Sequence, residues 1–237
     1  MIKFLNLYRS FKYHIVFDNF SYNFEDNNLY ILKGENGCGK TTLLYFLGLI
    51  DNGFKGKYIF DNIDLNKLSP SKREKFREEN ISILLPKGNL INFLNIKENR
   101  ELFVTNEVKN FDKLEDTRST LGLSGGEEIL LSLSNEISKN KKLYLLDEVT
   151  SSLSDEHTTQ IMDILKDLSK TSIVIIASHD ERIMNYGKIV KIETYMNEEW
   201  NSLFQIGTSY LLYFFFTIVK SSSVCKTIWF FSIECVK

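Results

Sequence analysis

Apolar residues along this chain gather into short runs divided by polar and glycine-bearing stretches. Leu29-Tyr30-Ile31-Leu32, Leu143-Tyr144-Leu145-Leu146 and Ser172-Ile173-Val174-Ile175-Ile176-Ala177 read as strands buried on both faces, as in a parallel sheet. Thr42-Leu43-Leu44-Tyr45-Phe46-Leu47 and Glu128-Ile129-Leu130-Leu131-Ser132-Leu133 read as helices, and Lys97-Glu98-Asn99-Arg100-Glu101-Leu102-Phe103 as one short helix. Such runs, in 237 residues, predict one sizeable α/β domain with a buried core. Lys72, Arg73, Lys75 and Arg77 alternate with Glu74, Glu78 and Glu79, the pattern of a solvated helix face rather than a nucleic-acid patch.

Composition narrows the classes. Lys and Arg number 29 against 31 Asp and Glu, a net charge of -2, so no global basic field argues for a nucleic-acid partner. Three cysteines without disulfide-like spacing point to a reducing compartment. The segment Met1-Ile2-Lys3-Phe4-Leu5-Asn6 lacks the apolar stretch of a signal peptide, so a cytoplasmic location is expected.

The chemistry is carried first by Gly34-Glu35-Asn36-Gly37-Cys38-Gly39-Lys40-Thr41, which reads G-x-x-x-x-G-K-T, the Walker A phosphate-binding loop. Glycines let successive backbone N–H groups curl around phosphate oxygens, Lys40 reaches the β- and γ-phosphates, and the Thr41 hydroxyl ligates Mg²⁺. With glycine at roughly 7% of residues, a chance match in a chain this long is on the order of one in a hundred. Lys142-Leu143-Tyr144-Leu145-Leu146-Asp147-Glu148 ends an apolar run in two acids. It is either any buried strand ending in a polar turn, or a strand whose carboxyl end presents Asp147 to Mg²⁺ and Glu148 to an attacking water as general base. Leu123-Ser124-Gly125-Gly126-Glu127 opens a helix, and serves either as a simple cap or as a second anion site.

Taken together, these motifs resemble the ATP-binding cassette (ABC) ATPases over residues 1–193: Walker A at 34–41, the LSGGE signature at 123–127, Walker B at 143–147 with Glu148, and a switch histidine, His179, in Ser178-His179-Asp180. The resemblance implies a P-loop NTPase core with a mostly parallel sheet, an N-terminal antiparallel β-subdomain, and a shortened α-helical subdomain at about 87–122. It implies that Gly34, Asn36, Gly37, Cys38, Gly39 and Lys40 cradle ATP, Thr42 supports the α-phosphate, Thr41 and Asp147 hold Mg²⁺, and Lys40, Glu148 and His179 take part in hydrolysis. Ser124, Gly125 and Gly126 would serve the ATP of a second cassette, a homodimer closing head to tail. Phe11 stands where the family stacks an aromatic ring on adenine; the other reading is a core residue, with Tyr13 and Tyr8 as rivals. Cys38 lies inside the loop, either merely small or a thiol whose alkylation blocks nucleotide. A membrane-spanning permease subunit is the implied partner, at the cytoplasmic face, with no nucleic acid.

Three departures accompany the match. With Ile81-Ser82-Ile83-Leu84-Leu85 aligned to the strand before the family's glutamine loop, Pro86 occupies the glutamine position; it has no side-chain donor or acceptor, and Asn89 is too remote in sequence to nominate as its replacement. Val149 and Ser154 stand where a proline and the D-loop aspartate are usual, with Asp155 adjacent. The last cassette strand falls in Gly187-Lys188-Ile189-Val190-Lys191-Ile192, after which residues 194–237 form a hydrophobic extension. Residues 201–219 carry no charge, and three readings stand: a packed or partner-facing extension, a membrane-inserted segment, or a non-native tail. The leading function is the ATPase subunit of an ABC transporter. The alternatives are a poorly hydrolysing regulatory module, motivated by Pro86 and Ser154, and a soluble non-transport ABC ATPase.

Overall fold

The structure is a computed structural model that describes residues 1–11, 14–86, 89–103, 114–151 and 153–193. The hydrophobic extension, Tyr13 and residues 104–113 of the expected helical subdomain lie outside the described residues.

A parallel sheet forms the centre, in the order β6 (Ile81–Leu84), β7 (Leu143–Asp147), β8 (Ile173–Ala177), β3 (Leu29–Lys33) and β9 (Lys188–Lys191). Every residue of β7 and β8 is buried, as strands covered on both faces require. The period of two sorts their side chains between two cores. Leu143, Leu145, Ile173, Ile175, Tyr30 and Leu32 face one core, with α1 (Lys40–Leu47) and the antiparallel strands. Tyr144, Leu146, Val174, Ile176, Leu29 and Ile31 face the other, with α4 (Gly125–Ser138) and α5 (Asp155–Leu168).

A second, antiparallel sheet runs in the order β2 (His14–Phe24), β1 (Ile2–Phe11), β4 (Lys55–Phe60) and β5 (Ile63–Asp64). Ile2, Phe4 and Leu7 are buried; the break in alternation coincides with a register shift and with Asn6 at φ 53, a β-bulge. Phe4 stacks on Tyr58 with ring centroids 4.6 Å apart, and the Tyr58 hydroxyl donates to the Leu47 carbonyl at 2.8 Å, tying this sheet to the end of α1.

The remaining helices are α2 (Pro70–Asn80), which buries no residue and is the solvated charged face expected, and the short α3 (Ile96–Phe103). Among the described residues, no helix is long and apolar enough to cross a membrane.

Candidate active site

Sheet register decides where the chemistry gathers. Leu32 and Asp147 both pair with Ala177, so the carboxyl ends of β3, β7 and β8 finish level and side by side. Residues 34–41, Glu148 and Ser178-His179 each leave the sheet at this edge, the place where open α/β sheets bind ligands. A cavity of about 310 Å³, lined by Asp26, Lys142 and Ser172 among others, opens instead at the amino ends of these strands, the end opposite to Asp147, Glu148 and His179.

The loop of residues 34–41 bends through Gly37 at φ 82 and Gly39 at φ 108, left-handed positions that favour glycine. Gly34 is required for a different reason: a Cβ there would collide with the Ile192 carbonyl and the Cys38 sulfur. Gly39 caps α1 without any side-chain hydrogen bond, and the first turn carries no acid. The free N–H groups of that turn and the helix dipole are therefore left for an anion. Lys40 is buried and its Nζ donates to the carbonyls of Gly34 at 2.8 Å and Glu35 at 3.1 Å, folded across the loop it is expected to share with phosphate. Asn36 is exposed and Thr42 half-buried. Cys38 is 1% exposed within the first core, so its packing is that of a small apolar residue, and the thiol is closed to an alkylating reagent in this conformation.

Thr41 and Asp147 meet: the Thr41 hydroxyl donates to Asp147 at 3.0 Å and 3.3 Å. Burial pushes the Asp147 carboxyl above the usual range; the Thr41 bond opposes this, the neighbouring Glu148 adds to it, and Lys40 opposes it. A carboxylate beside a hydroxyl oxygen, as Asp147 and Thr41 stand here, is a donor set suited to Mg²⁺, which takes one or two protein oxygens and completes its shell from phosphates and water. Among the described residues, no three His, Cys, Asp or Glu side chains converge into an all-protein metal cage.

Glu148 and His179 also meet. The imidazole Nδ1 lies 3.0 Å from Glu148 Oε1, and the Ser178 hydroxyl donates to Glu148 Oε2 at 3.4 Å. Glu148 adopts φ 50, a left-handed conformation that costs a non-glycine residue about 1–3 kcal/mol and persists only where surroundings enforce it. Its N–H donates to the Ala177 carbonyl at 2.9 Å and its carbonyl accepts from the Ser151 hydroxyl at 2.9 Å. Sequence reasoning gave Ser178 no role, and its place beside a histidine after an apolar run was the available signal.

Ser124, Gly125 and Gly126 lie at the amino end of α4. Of the two readings of that motif, the cap is the one the hydrogen bonds display. Ser124 is the helix cap in a reciprocal capping box: its hydroxyl accepts from the Glu127 N–H at 3.3 Å and its own N–H donates to Glu127 at 2.8 Å. Arg118 clasps the same carboxylate at 2.5 Å and 3.2 Å and drives its pKa down to about 2, with the Ser124 N–H assisting. Ser124 and Gly125 remain exposed, while Gly126 is buried against His157.

Phe11 ends β1 and is 45% exposed, so it is not a core residue; the Arg9 guanidinium lies 4.2 Å from its ring centroid. Tyr8, its rival, lies under the Lys55 ammonium at 5.6 Å. Pro86 is an exposed turn residue two positions beyond β6. Asn89, remote in sequence, is drawn in: its amide donates to the Ile83 carbonyl at 2.7 Å and to Glu136 on α4 at 3.0 Å. Ser154 caps α5, and Asp155 accepts from Arg182 at 2.6 Å.

The family model described as ABC transporter matches residues 17–151. The chain is 30% identical over 179 residues to the lipoprotein-releasing system ATP-binding protein LolD of Colwellia psychrerythraea, covering 68% of this chain and 69% of that protein. It is 26% identical over 206 residues to the macrolide export ATP-binding/permease protein MacB of Campylobacter jejuni, covering 80% of this chain; it spans only 32% of that protein's length. In fold it is similar to the ATP-binding cassette MJ0796 of Methanocaldococcus jannaschii, solved as a dimer in a post-hydrolysis state bound to ADP and Pi, with a TM-score of 0.71 at 23% identity over 81% of this chain and 94% of that one. The chain belongs to the ABC transporter family, and what it holds is that family's nucleotide-binding cassette.

Proposed function

We propose that this chain hydrolyses ATP to drive a membrane-spanning permease, and that it works as a pair of cassettes closed head to tail. The observation that carries the proposal is the meeting of three strand ends, which puts Lys40, the Thr41–Asp147 pair and the Glu148–His179 pair at one edge of the sheet. Backbone N–H groups of residues 34–42 and the Lys40 ammonium would hold the triphosphate, with Phe11 available to the base. Thr41 and Asp147 would hold Mg²⁺, which when bound neutralises phosphate charge. Glu148 would take a proton from the attacking water, and His179, hydrogen-bonded to Glu148, would hold that carboxylate towards the γ-phosphate. Ser124 and Gly125 are exposed at the amino end of α4; a second copy supplying Ser124, Gly125 and Gly126 to this ATP fits a two-fold interface.

The dimeric state of the MJ0796 cassette supports the pairing, and the ATP-binding/permease name of the MacB relative supports a membrane partner, separate or fused. The cytoplasmic face of the membrane follows as the site of action. A poorly hydrolysing regulatory module is the reading that Pro86 favours. The formed Glu148–His179 pair favours hydrolysis instead.

The test is Glu148→Gln, measured by phosphate release and by light scattering. Turnover should fall roughly 10²–10⁴-fold, as removal of a general base does, while ATP and Mg²⁺ should now accumulate a stable dimer. Undiminished turnover would remove Glu148 from the mechanism, and a variant that stays monomeric with ATP would count against head-to-tail closure.

A further inference from the structure

We infer that Arg182 is a positioning residue that fixes the loop after Glu148 against the loop carrying His179, an inference that rests on the hydrolytic reading above. Arg182 lies in a short 3₁₀ turn, Glu181–Ile183, three residues beyond His179. All five of its N–H directions are used. Nε and Nη2 form a fork on the Asp180 carboxylate at 2.9 Å and 2.8 Å. Nη2 also donates to the Thr150 carbonyl at 3.0 Å, and Nη1 donates to the Leu153 carbonyl at 3.0 Å and to Asp155 at 2.6 Å. One planar group thus joins the residue next to His179 to three residues of the segment that follows Glu148.

That span matters because of what lies between its ends. Thr150 is two residues from Glu148, and Asp180 is one residue from His179, so the fork sets the separation across which the 3.0 Å Glu148–His179 bond is made. Glu148 is also held in a left-handed conformation that its neighbours must enforce. The Ala177 carbonyl and Ser151 supply part of that constraint, and Arg182 anchors the chain immediately beyond. The fork geometry is specific to a guanidinium: a lysine ammonium is a point charge that cannot hold a bidentate carboxylate and two carbonyls in one plane. Asp180, half of the fork, is itself nearly closed to solvent, with a side chain 7% exposed and a carboxyl held below its usual range by Arg182.

The experiment compares the full chain with Arg182→Ala and Arg182→Lys in phosphate release, ATP affinity and thermal unfolding. Misplacement of reacting groups costs roughly 10²-fold, so kcat of Arg182→Ala should fall by about that factor while ATP affinity stays within about twofold. Arg182→Lys should fall between the two, and it carries the test if the alanine variant does not fold. Guanidinium ion at millimolar concentration should restore part of the Arg182→Ala rate and none of the Glu148→Gln rate. An unchanged kcat would overturn the inference. So would a joint fall in kcat, affinity and unfolding temperature without guanidinium rescue, which is the mark of a merely structural residue. Absence of hydrolysis by the unsubstituted chain would count against the proposed function, and Arg182 would then be judged by nitrogen NMR of the His179 ring. Loss of the hydrogen-bonded Nδ1 signal in Arg182→Ala would support the role; its persistence would overturn it.

Discussion

Gly126→Ala and Gly125→Ala, one residue apart in the signature motif, should have opposite consequences. A Cβ on Gly125 meets nothing within 4 Å, whereas a Cβ on Gly126 would lie 2.7 Å from His157 Nδ1, 2.8 Å from Cε1 and 2.9 Å from Cγ. The imidazole would have to swing aside as a unit, and doing so gives up its Nδ1 contact at 3.0 Å with the Ser154 hydroxyl. Forcing a methyl into such a packed site costs about 1–3 kcal/mol. Replacing glycine by alanine in a helix returns up to about 1 kcal/mol, but that gain is common to both positions and cancels in the comparison. The two variants should therefore differ by about 1–3 kcal/mol, which for a domain of this size is about 2–12 °C in unfolding temperature. Adding His157→Ala should remove most of the Gly126→Ala penalty and leave Gly125→Ala unaffected, a double-mutant cycle read by urea or thermal unfolding of the nucleotide-free chain. Equal stability of the two glycine variants, or a penalty that survives intact without the imidazole, would refute the packing argument and leave Gly126 to be explained by close approach of a ligand.

Two further outcomes follow from the carboxylates. Because burial raises the Asp147 pKa in the folded chain, its charged form opposes folding at neutral pH, and that cost disappears as pH falls through the raised value. Asp147→Asn, which still accepts from Thr41, should therefore raise the unfolding temperature of the ligand-free chain at neutral pH while abolishing the Mg²⁺-dependent gain in ATP affinity; a lower unfolding temperature would contradict this. Glu127 behaves in the opposite sense: its folded pKa of about 2 lies below the unfolded value, so its contribution is present above that unfolded value and is lost as pH falls towards 2. Arg118→Ala removes the largest cause, and should flatten the acid limb of a stability–pH curve by a small amount, as an exposed ion pair allows; an unchanged limb would mean that the capping box alone holds Glu127.

The parts of this molecule that were legible in its sequence are those whose physics is local. Strands buried on both faces announce themselves as unbroken apolar runs, and β3, β7 and β8 fall within a residue of the runs that predict them. The phosphate loop is legible because two of its glycines are fixed by φ. Gly34 belongs to the motif for a reason the motif does not state, since the atoms it must avoid, on Ile192 and Cys38, are brought there by the sheet and by the loop itself. Strand order was not legible: an all-apolar strand carries no mark of its neighbours, and nothing in Ile81-Ser82-Ile83-Leu84 says that it lies beside β7 at the sheet edge. Arg182 was invisible for a similar reason. A single arginine in a polar stretch reads as solvated, and its four partner residues come from two stretches about thirty residues apart in sequence.

The same distinction bears on Pro86. Read along the chain, a proline in place of glutamine leaves the loop after β6 without a polar side chain to report on the site, and Asn89 lies three residues too far along to replace it. In the fold, Asn89 bonds back to Ile83 and across to Glu136, and its N–H reaches the Ser132 hydroxyl at 3.2 Å. Glu136 is 3% exposed and is held further by Lys139 at 2.7 Å and by the Ser82 hydroxyl. A buried carboxylate tolerates the loss of a partner badly, so this network resists being pulled apart. It joins the loop after β6 to Ser132 and Glu136 in the second half of α4, the helix that Ser124 caps. The departure at residue 86 therefore does not detach this loop from the signature helix: the polar side chain that ties the two together is Asn89, which reaches α4 through Glu136 and Ser132.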